Sequence, residues 1–170
     1  MKPFSFELLS EPDLQLMYDW FQESTIKASY ARGQVFSLKD IKDKYLPRIL
    51  GKDNIPSYII KDNRRPIGFI QYYLLTEHLP EGIKSYTNPL FHQYPADDIA
   101  GIDCFIAHAE NRGKGLGSQL IHKFIADFLV RFRAVIVDPD IQNQQAIRCY
   151  EKIRGSGVLL HIQSLLKGVF

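Results

Sequence analysis

A chain of 170 residues, 45% hydrophobic and 24% charged, is ordinary in composition and long enough for one sizeable core, so residues 1–170 read as a single domain. A formal net charge of +2, with no Lys/Arg stripe carrying interleaved aromatics, argues against nucleic acid, and no window approaches the ~20 apolar residues of a membrane span. The opening run MKPFSFELLSEPD bears Glu7, Glu11 and Asp13 and no signal-like apolar stretch, and two cysteines 45 positions apart fit a reducing cytoplasm better than a disulfide framework.

Residues 12–23 (PDLQLMYDWFQE) place Leu14, Met17, Tyr18 and Phe21 at helical spacing. Ser37 and Asp40 form a capping box that opens a second helix, with Leu38, Ile41, Tyr45 and Leu46 inward and Pro47 and Gly51 ending or kinking it. The β-rich runs 57–61 (SYIIK) and 67–75 (IGFIQYYLL) flank the turn cluster DNRRP at 62–66, the pattern of an antiparallel hairpin. Residues 76–98, broken by Pro80, Gly82, Pro89 and Pro95, read as a long connection of the kind that is functional or mobile. A strand resumes over 99–107. Residues 115–131 form a strong helix with Leu116, Leu120, Ile121, Phe124, Ile125, Phe128 and Leu129 inward. A short buried strand at 134–137 and a short helix at 144–152 follow. The sum is a mixed α/β fold of two helices, three strands, helix, strand, helix.

The junction before the long helix reads RGKGLG, from Arg112 to Gly117. Glycines are needed where backbone must come close to a ligand, and a helix start offers unpaired N–H groups at the positive end of its dipole. That suits an anion such as a diphosphate; a tight turn whose glycines only relieve crowding is the other reading. The spacing is neither that of a Walker P-loop nor that of a dinucleotide fingerprint.

Arg112-x-x-Gly115-x-Gly117, between a strand and a long amphipathic helix, resembles the acyl-CoA loop of the GNAT N-acetyltransferases. Asn143-Gln-Gln-Ala146-Ile-Arg-Cys-Tyr150-Glu-Lys152 resembles that family's next landmark, on the helix after the following strand. Gly101-Ile-Asp103, Gly113-Lys-Gly-Leu-Gly117, Asp138-Pro139 and the run from Ala146 to Lys152 are similar to the aminoglycoside 6′-N-acetyltransferases, as are Tyr45-Leu-Pro47, Tyr58-Ile59 and Pro66-Ile-Gly68. The resemblance spans about residues 14–152. It implies the GNAT fold, a central mostly antiparallel sheet splayed at strands four and five and flanked by helices, with acetyl-CoA as cosubstrate. It also implies 6′-N-acetylation of an aminoglycoside by direct attack in a ternary complex, hence antibiotic resistance.

The same resemblance implies site residues. The amides of the loop, Arg112, Gly113, Lys114, Gly115, Leu116, Gly117 and Ser118, would hold the CoA diphosphate. The backbone of Phe105, Ile106 and Ala107 would meet the pantetheine arm, joined by Asn143 and Ala146. An alkylamine titrates near 10.4, so losing its proton at pH 7 costs on the order of 4–5 kcal/mol, which a neighbouring carboxylate offsets by taking the proton. Asp103, set in an otherwise apolar strand where an unused charge is expensive, is the candidate base; a structural acceptor is its alternative. Tyr150 is the family's candidate proton donor to the thiolate, or else a core tyrosine. Asn143 also fits a helix N-cap. His108 and His122 read as surface or structural. With no Cys-x-x-Cys and no H-E-x-x-H, no metal is expected, and Cys149, off the face of Tyr150, is not expected to carry an acyl group.

Residues 85–111 and 134–147 hold no Lys or Arg but carry Asp97, Asp98, Asp103, Glu110, Asp138 and Asp140, ground that suits an amine-rich small molecule. Asp103, Asp138, Asp98 and Tyr30 are the candidate substrate contacts. Two departures stand out. Ser29-Tyr30-Ala31-Arg32 replaces the relatives' tryptophan-rich stretch, and IRGSG at 153–157 replaces their continuation, leaving room for one strand around 158–163 and an atypical end after 152. Two rival readings stay open: acylation of another amine, such as a siderophore hydroxylysine or a polyamine, and an impaired acyl-CoA-binding homologue. Either a monomer or a homodimer is compatible with the sequence.

Overall fold

The structure, a computed structural model describing residues 4–154 and the backbone of residues 160–162, divides into two units. One comprises the chain up to Gln71 together with Cys104–Asn111; the other comprises Tyr72–Asp103 together with the chain from Arg112 onward.

In the first unit, β1 (Phe4–Leu8) pairs antiparallel with β2 (Ser57–Asp62), running from Phe4↔Asp62 to Leu8↔Tyr58. β1 adds to the expected elements: Phe4, Phe6 and Leu8 alternate, but only Phe4 is buried, so its apolar signal is weak. The expected first helix opens later than residue 12. Glu11–Asp13 forms a 3₁₀ turn in which the Asp13 carboxylate accepts the Ser10 N–H at 2.9 Å, and α1 spans Leu14–Gln22. Leu14, Met17 and Phe21 are buried as expected, with Trp20 buried rather than Tyr18. A further short helix, α2 (Ser24–Ser29), follows.

α3 (Leu38–Ile49) carries the expected box: Ser37 Oγ accepts the Asp40 N–H, and Asp40 accepts the Ser37 N–H at 2.8 Å. The Ser37 hydroxyl, donating to the same carboxylate at 2.6 Å, and then the Ser37 N–H hold the Asp40 carboxyl below its ordinary value. Ile41 and Tyr45 are wholly buried. Pro47 does not end this helix. It leaves the Asp43 carbonyl without an i+4 donor, yet the helix runs on two residues to Ile49. Closure falls instead to Leu50–Asp53, whose amides bond back to Leu46, Pro47 and Arg48 around the left-handed Gly51.

β2 and β3 (Arg65–Leu74) form the expected hairpin through a two-residue turn at Asn63 and Arg64, both at positive φ (48° and 70°). Turns of that hand match the twist of the strands they join. The core of this unit is aromatic: Phe69 stacks on Phe105 at 5.6 Å, and Trp20, Phe21 and Tyr30 meet Phe105 edge-on. Each such ring, fully buried, stabilises by roughly 1.5–3 kcal/mol.

In the second unit the 76–98 connection is ordered by its own contacts. Tyr86 Oη donates to Leu75 O at 2.7 Å, Ile83 and Leu90 are buried, and the segment holds a short helix, α4 (Leu90–Gln93). β4 (Ile99–Ile106) then runs parallel to β5 (Ala134–Val137) over three pairs, Ile99↔Ala134 to Gly101↔Ile136. β4 continues five residues past the last pair, at the place where the splay between the fourth and fifth strands is expected. Between them lies α5 (Leu116–Phe128), which buries Leu116, Leu120, Ile121, Phe124 and Ile125. It stops at Phe128, where Leu129, itself buried, caps it by donating to Ile125 O.

α6 (Gln144–Arg154) follows β5. The one strand expected after it is present as β6 (Leu160–Ile162), parallel to β5. The strand order is β1-β2-β3-β4-β5-β6. β3 and β4 are antiparallel, Leu75 N–H meeting Ile99 O and Ala107 N–H meeting Ile67 O. Three antiparallel and two parallel pairings make the sheet mostly antiparallel, as expected. The departures expected at 155–157 and after 162 lie outside the described residues.

Candidate functional site

The glycine turn of the second unit takes the conformation its sequence calls for. Gly113 and Gly115 both sit in the left-handed region, at φ 75° and 74°. Gly115 is the N-cap of α5, and having no side chain it makes no side-chain cap. The first helical bond is donated by Gln119 to Gly115 O, so the N–H groups of Leu116, Gly117 and Ser118 have no intrahelical acceptor. Ser118 Oγ turns back to donate to Gly115 O at 2.8 Å. Leu116 is buried and fixes the turn to the core, while Gly113 and Lys114 are exposed. Three amides at the positive end of a 13-residue helix make an anion-binding surface.

α6 supplies the other wall. Asn143 is its N-cap, Oδ1 accepting the Ala146 N–H at 3.1 Å, as one of the two readings of the sequence has it. Tyr150 and Ile153 face the core, with Ala146 one turn before Tyr150 on that face. The adjoining stripe is Gln145, Cys149 and Lys152. A methyl group placed on Gly113 would lie 3.7 Å from Gln145 Nε2, and one on Gly115 would lie 3.9 Å from Lys152 Nζ. Gln145 and Lys152 belong to the landmark at 143–152 without a role there; their i, i+7 spacing around Cys149 is the signal that sets them on one stripe.

Asp103 lies on β4 two residues beyond the last pair with β5, half-buried, on the same face of the strand as Gly101. The Tyr73 ring covers Gly101 so closely that any side chain there would collide with it. Asp138, just past β5, accepts the Gly82 N–H on Oδ2 at 3.1 Å, which ties the 76–98 connection to the end of that strand. Asp98 is engaged with Arg133, carboxylate to guanidinium at 3.5 Å, and its carbonyl accepts the Arg133 N–H. In the first unit, Tyr30 packs edge-on to Phe21 and Phe105, the Phe105 ring is buried, and Ala107 donates its N–H to Ile67. Arg32 is exposed and left-handed, φ 51°.

Cys104 and Cys149 are free thiols. Burial pushes the Cys149 thiol up to about 11, against the opposing pull of Lys152, so at neutral pH it is protonated and a poor nucleophile. Among the described residues no cluster of His, Cys, Asp and Glu could hold a metal ion, and no helix is long and apolar enough to cross a membrane.

A strand leading through left-handed glycines into the bare N-terminus of an amphipathic helix, on a mostly antiparallel sheet, defines the α/β class of this protein. Comparison with known proteins gives the family. The acetyltransferase (GNAT) domain profile matches residues 10–157, and the chain belongs to that family. It is similar to the aminoglycoside N(6′)-acetyltransferase type 1 of Klebsiella pneumoniae, 30% identical over 151 residues that cover 87% of this chain and 71% of the relative. Among solved structures, AAC(6′)-Ib in complex with parmomycin and acetyl-CoA has a TM-score of 0.74 at 30% identity, covering 88% of this chain and 81% of that one. The same enzyme with coenzyme A and kanamycin gives 0.73 at 30% identity, covering 89% and 83%.

Proposed function

We propose that this chain transfers the acetyl group of acetyl-CoA to the 6′-amine of an aminoglycoside, a reaction that confers resistance, in the reducing cytoplasm that its two free thiols fit. The observation that carries the reading is the turn at Gly113–Gly115, with three amides free of intrahelical acceptors at the start of α5. The diphosphate of CoA suits it in charge, and the relatives solved with acetyl-CoA or coenzyme A are similar over most of the chain. Bound there, the coenzyme supplies an activated thioester.

The protein's own groups do the rest. The amides of Arg112–Ser118 orient the coenzyme, with Asn143 and Ala146 placed along its arm. The main chain of Phe105, Ile106 and Ala107 runs along the extended arm, though the Ala107 N–H is held by Ile67 O and leaves the pairing to the other peptide groups. Asp103 takes the ammonium proton and aims the lone pair; its carboxylate is half-buried on a strand otherwise apolar, where it is used rather than solvated. Tyr150 Oη donates a proton to the departing sulfur. Cys149, held protonated, takes no acyl group, so transfer is direct within the ternary complex.

Of the acids in the two cation-free stretches, Asp103 and Asp138 carry the amine-binding role. Asp98 is partly neutralised by Arg133. Tyr30, part of the aromatic cluster, acts at most through one ring edge.

The test is thiol release from acetyl-CoA with kanamycin, tobramycin, hydroxylysine and spermidine in parallel. Turnover with the two aminoglycosides, at kcat/KM well above the others, is expected. Preference for hydroxylysine or spermidine assigns the other amine class, and coenzyme binding without turnover assigns a non-catalytic domain. Asp103→Asn is expected to lower kcat by about 10²–10⁴-fold with coenzyme affinity unchanged.

A further inference from the structure

We infer that Lys152 is a coenzyme-binding residue: from the α6 side its ammonium closes the glycine turn and shares the negative charge of the diphosphate held there. The inference deepens the reading of the turn given above and rests on it.

The turn presents amides from one side only. Leu116, Gly117 and Ser118 offer N–H dipoles along the α5 axis, but a diphosphate at neutral pH carries two negative charges, and dipoles alone leave these incompletely balanced. The cations within the turn's own sequence are Arg112, half-buried with contacts of its own, and Lys114, exposed. α6 brings a third. Gln145 and Lys152 stand seven residues apart on one stripe, and each reaches one of the two left-handed glycines, at 3.7 and 3.9 Å from where a side chain would begin. A side chain on either glycine would occupy the space between that polar tip and the turn.

Lys152 makes no ion pair among the described residues, unlike Lys39, Lys61 and Lys123, each of which has a carboxylate within 4.0 Å. Its charge is nonetheless felt locally, because it opposes the burial that raises the neighbouring Cys149 thiol. An exposed ammonium 3.9 Å from where a Gly115 side chain would begin, with no carboxylate partner among the described residues, suits a diphosphate as counter-charge.

A second cation on the same helix separates this role from a purely helical one. Lys152 and Arg154 both lie in the last turn of α6, where any cation is favoured by the helix dipole. Stabilising the helix is a property they share, but of the two Lys152 alone comes within 4 Å of a Cβ placed on Gly115.

The experiment is calorimetric titration of CoA and of 3′-dephospho-CoA into the wild-type chain and into Lys152→Gln, Lys152→Arg and Arg154→Gln, at low and moderate salt. Lys152→Gln is expected to weaken both ligands about three- to tenfold and to flatten the salt dependence, with Lys152→Arg near wild type and Arg154→Gln unchanged. Equal affinities for wild type and Lys152→Gln, with wild type still binding, overturn the inference while sparing the turn. A Lys152→Gln deficit that disappears with 3′-dephospho-CoA also overturns it, since the charge would then read the ribose phosphate. A wild-type chain that binds neither ligand removes the reading beneath it as well.

Discussion

Two of the turns that use left-handed backbone meet its requirement with opposite residue choices. The hairpin between β2 and β3 uses Asn63 and Arg64, whose side chains tolerate φ of 48° and 70° at an exposed corner. The turn before α5 uses Gly113 and Gly115 at nearly the same φ. A left-handed non-glycine residue costs roughly 1–2 kcal/mol, which the hairpin absorbs. Crowding within the protein does not explain the glycines either, since their nearest neighbours are the tips of Gln145 and Lys152, at 3.7 and 3.9 Å. One turn only has to bend the chain. The other has to stay bare, and the space it keeps clear lies beside the helix-start amides and an ammonium.

That contrast can be broken at either turn. The largest effect is expected from Gly115→Val, which adds bulk and strain at φ 74°. It should abolish measurable CoA binding, a loss of at least about 100-fold, with a moderate fall in melting temperature. Gly115→Asn, more tolerant of this backbone, should recover stability but not affinity; recovery of both would reduce the glycine to a conformational role. The mirror substitution, Arg64→Gly, should change stability by less than about 1 kcal/mol in urea unfolding and leave CoA affinity untouched.

The smallest effect concerns the helix beside the turn. The folded Cys149 thiol titrates near 11 against an ordinary value of 9.0, so its contribution to stability is complete below pH 9 and lost as pH rises from 9 toward 11. Mass-spectrometric labelling of Cys149 should therefore be slow at pH 8 and accelerate above pH 10. Lys152→Gln removes the charge that lowers this value and should slow labelling further. Faster labelling would place the ammonium elsewhere.

Much of this was legible in the sequence because it is written in local patterns. The spacing of Leu116, Leu120, Ile121, Phe124 and Ile125 announces α5, the run AVIV announces β5, and Ser37 with Asp40 announces α3. β1 and α2 were not legible, since each buries one residue, Phe4 or Ile26, and leaves little periodicity to read. Pro47 and Gly51 mark the end of α3 as the sequence suggests, but the two further helical residues up to Ile49 follow from no local pattern. At the site, the glycines could be read because they sit together in the chain. The bond from Gly82 to Asp138 crosses 56 positions, and the approach of Lys152 to Gly115 depends on how α6 packs. Asp98 could be counted as acidic ground, but its pairing with Arg133 could not.

The claim on which all of this turns is that main chain at the start of α5 grips a diphosphate. Its most direct test is calorimetric titration of the wild-type chain with acetyl-CoA and with acetyl-pantetheine, which keeps the thioester and the arm but lacks the diphosphate. Affinity for acetyl-CoA should exceed that for acetyl-pantetheine by at least about 100-fold, in keeping with several charge-assisted bonds lost together. Comparable affinities for the two would contradict it.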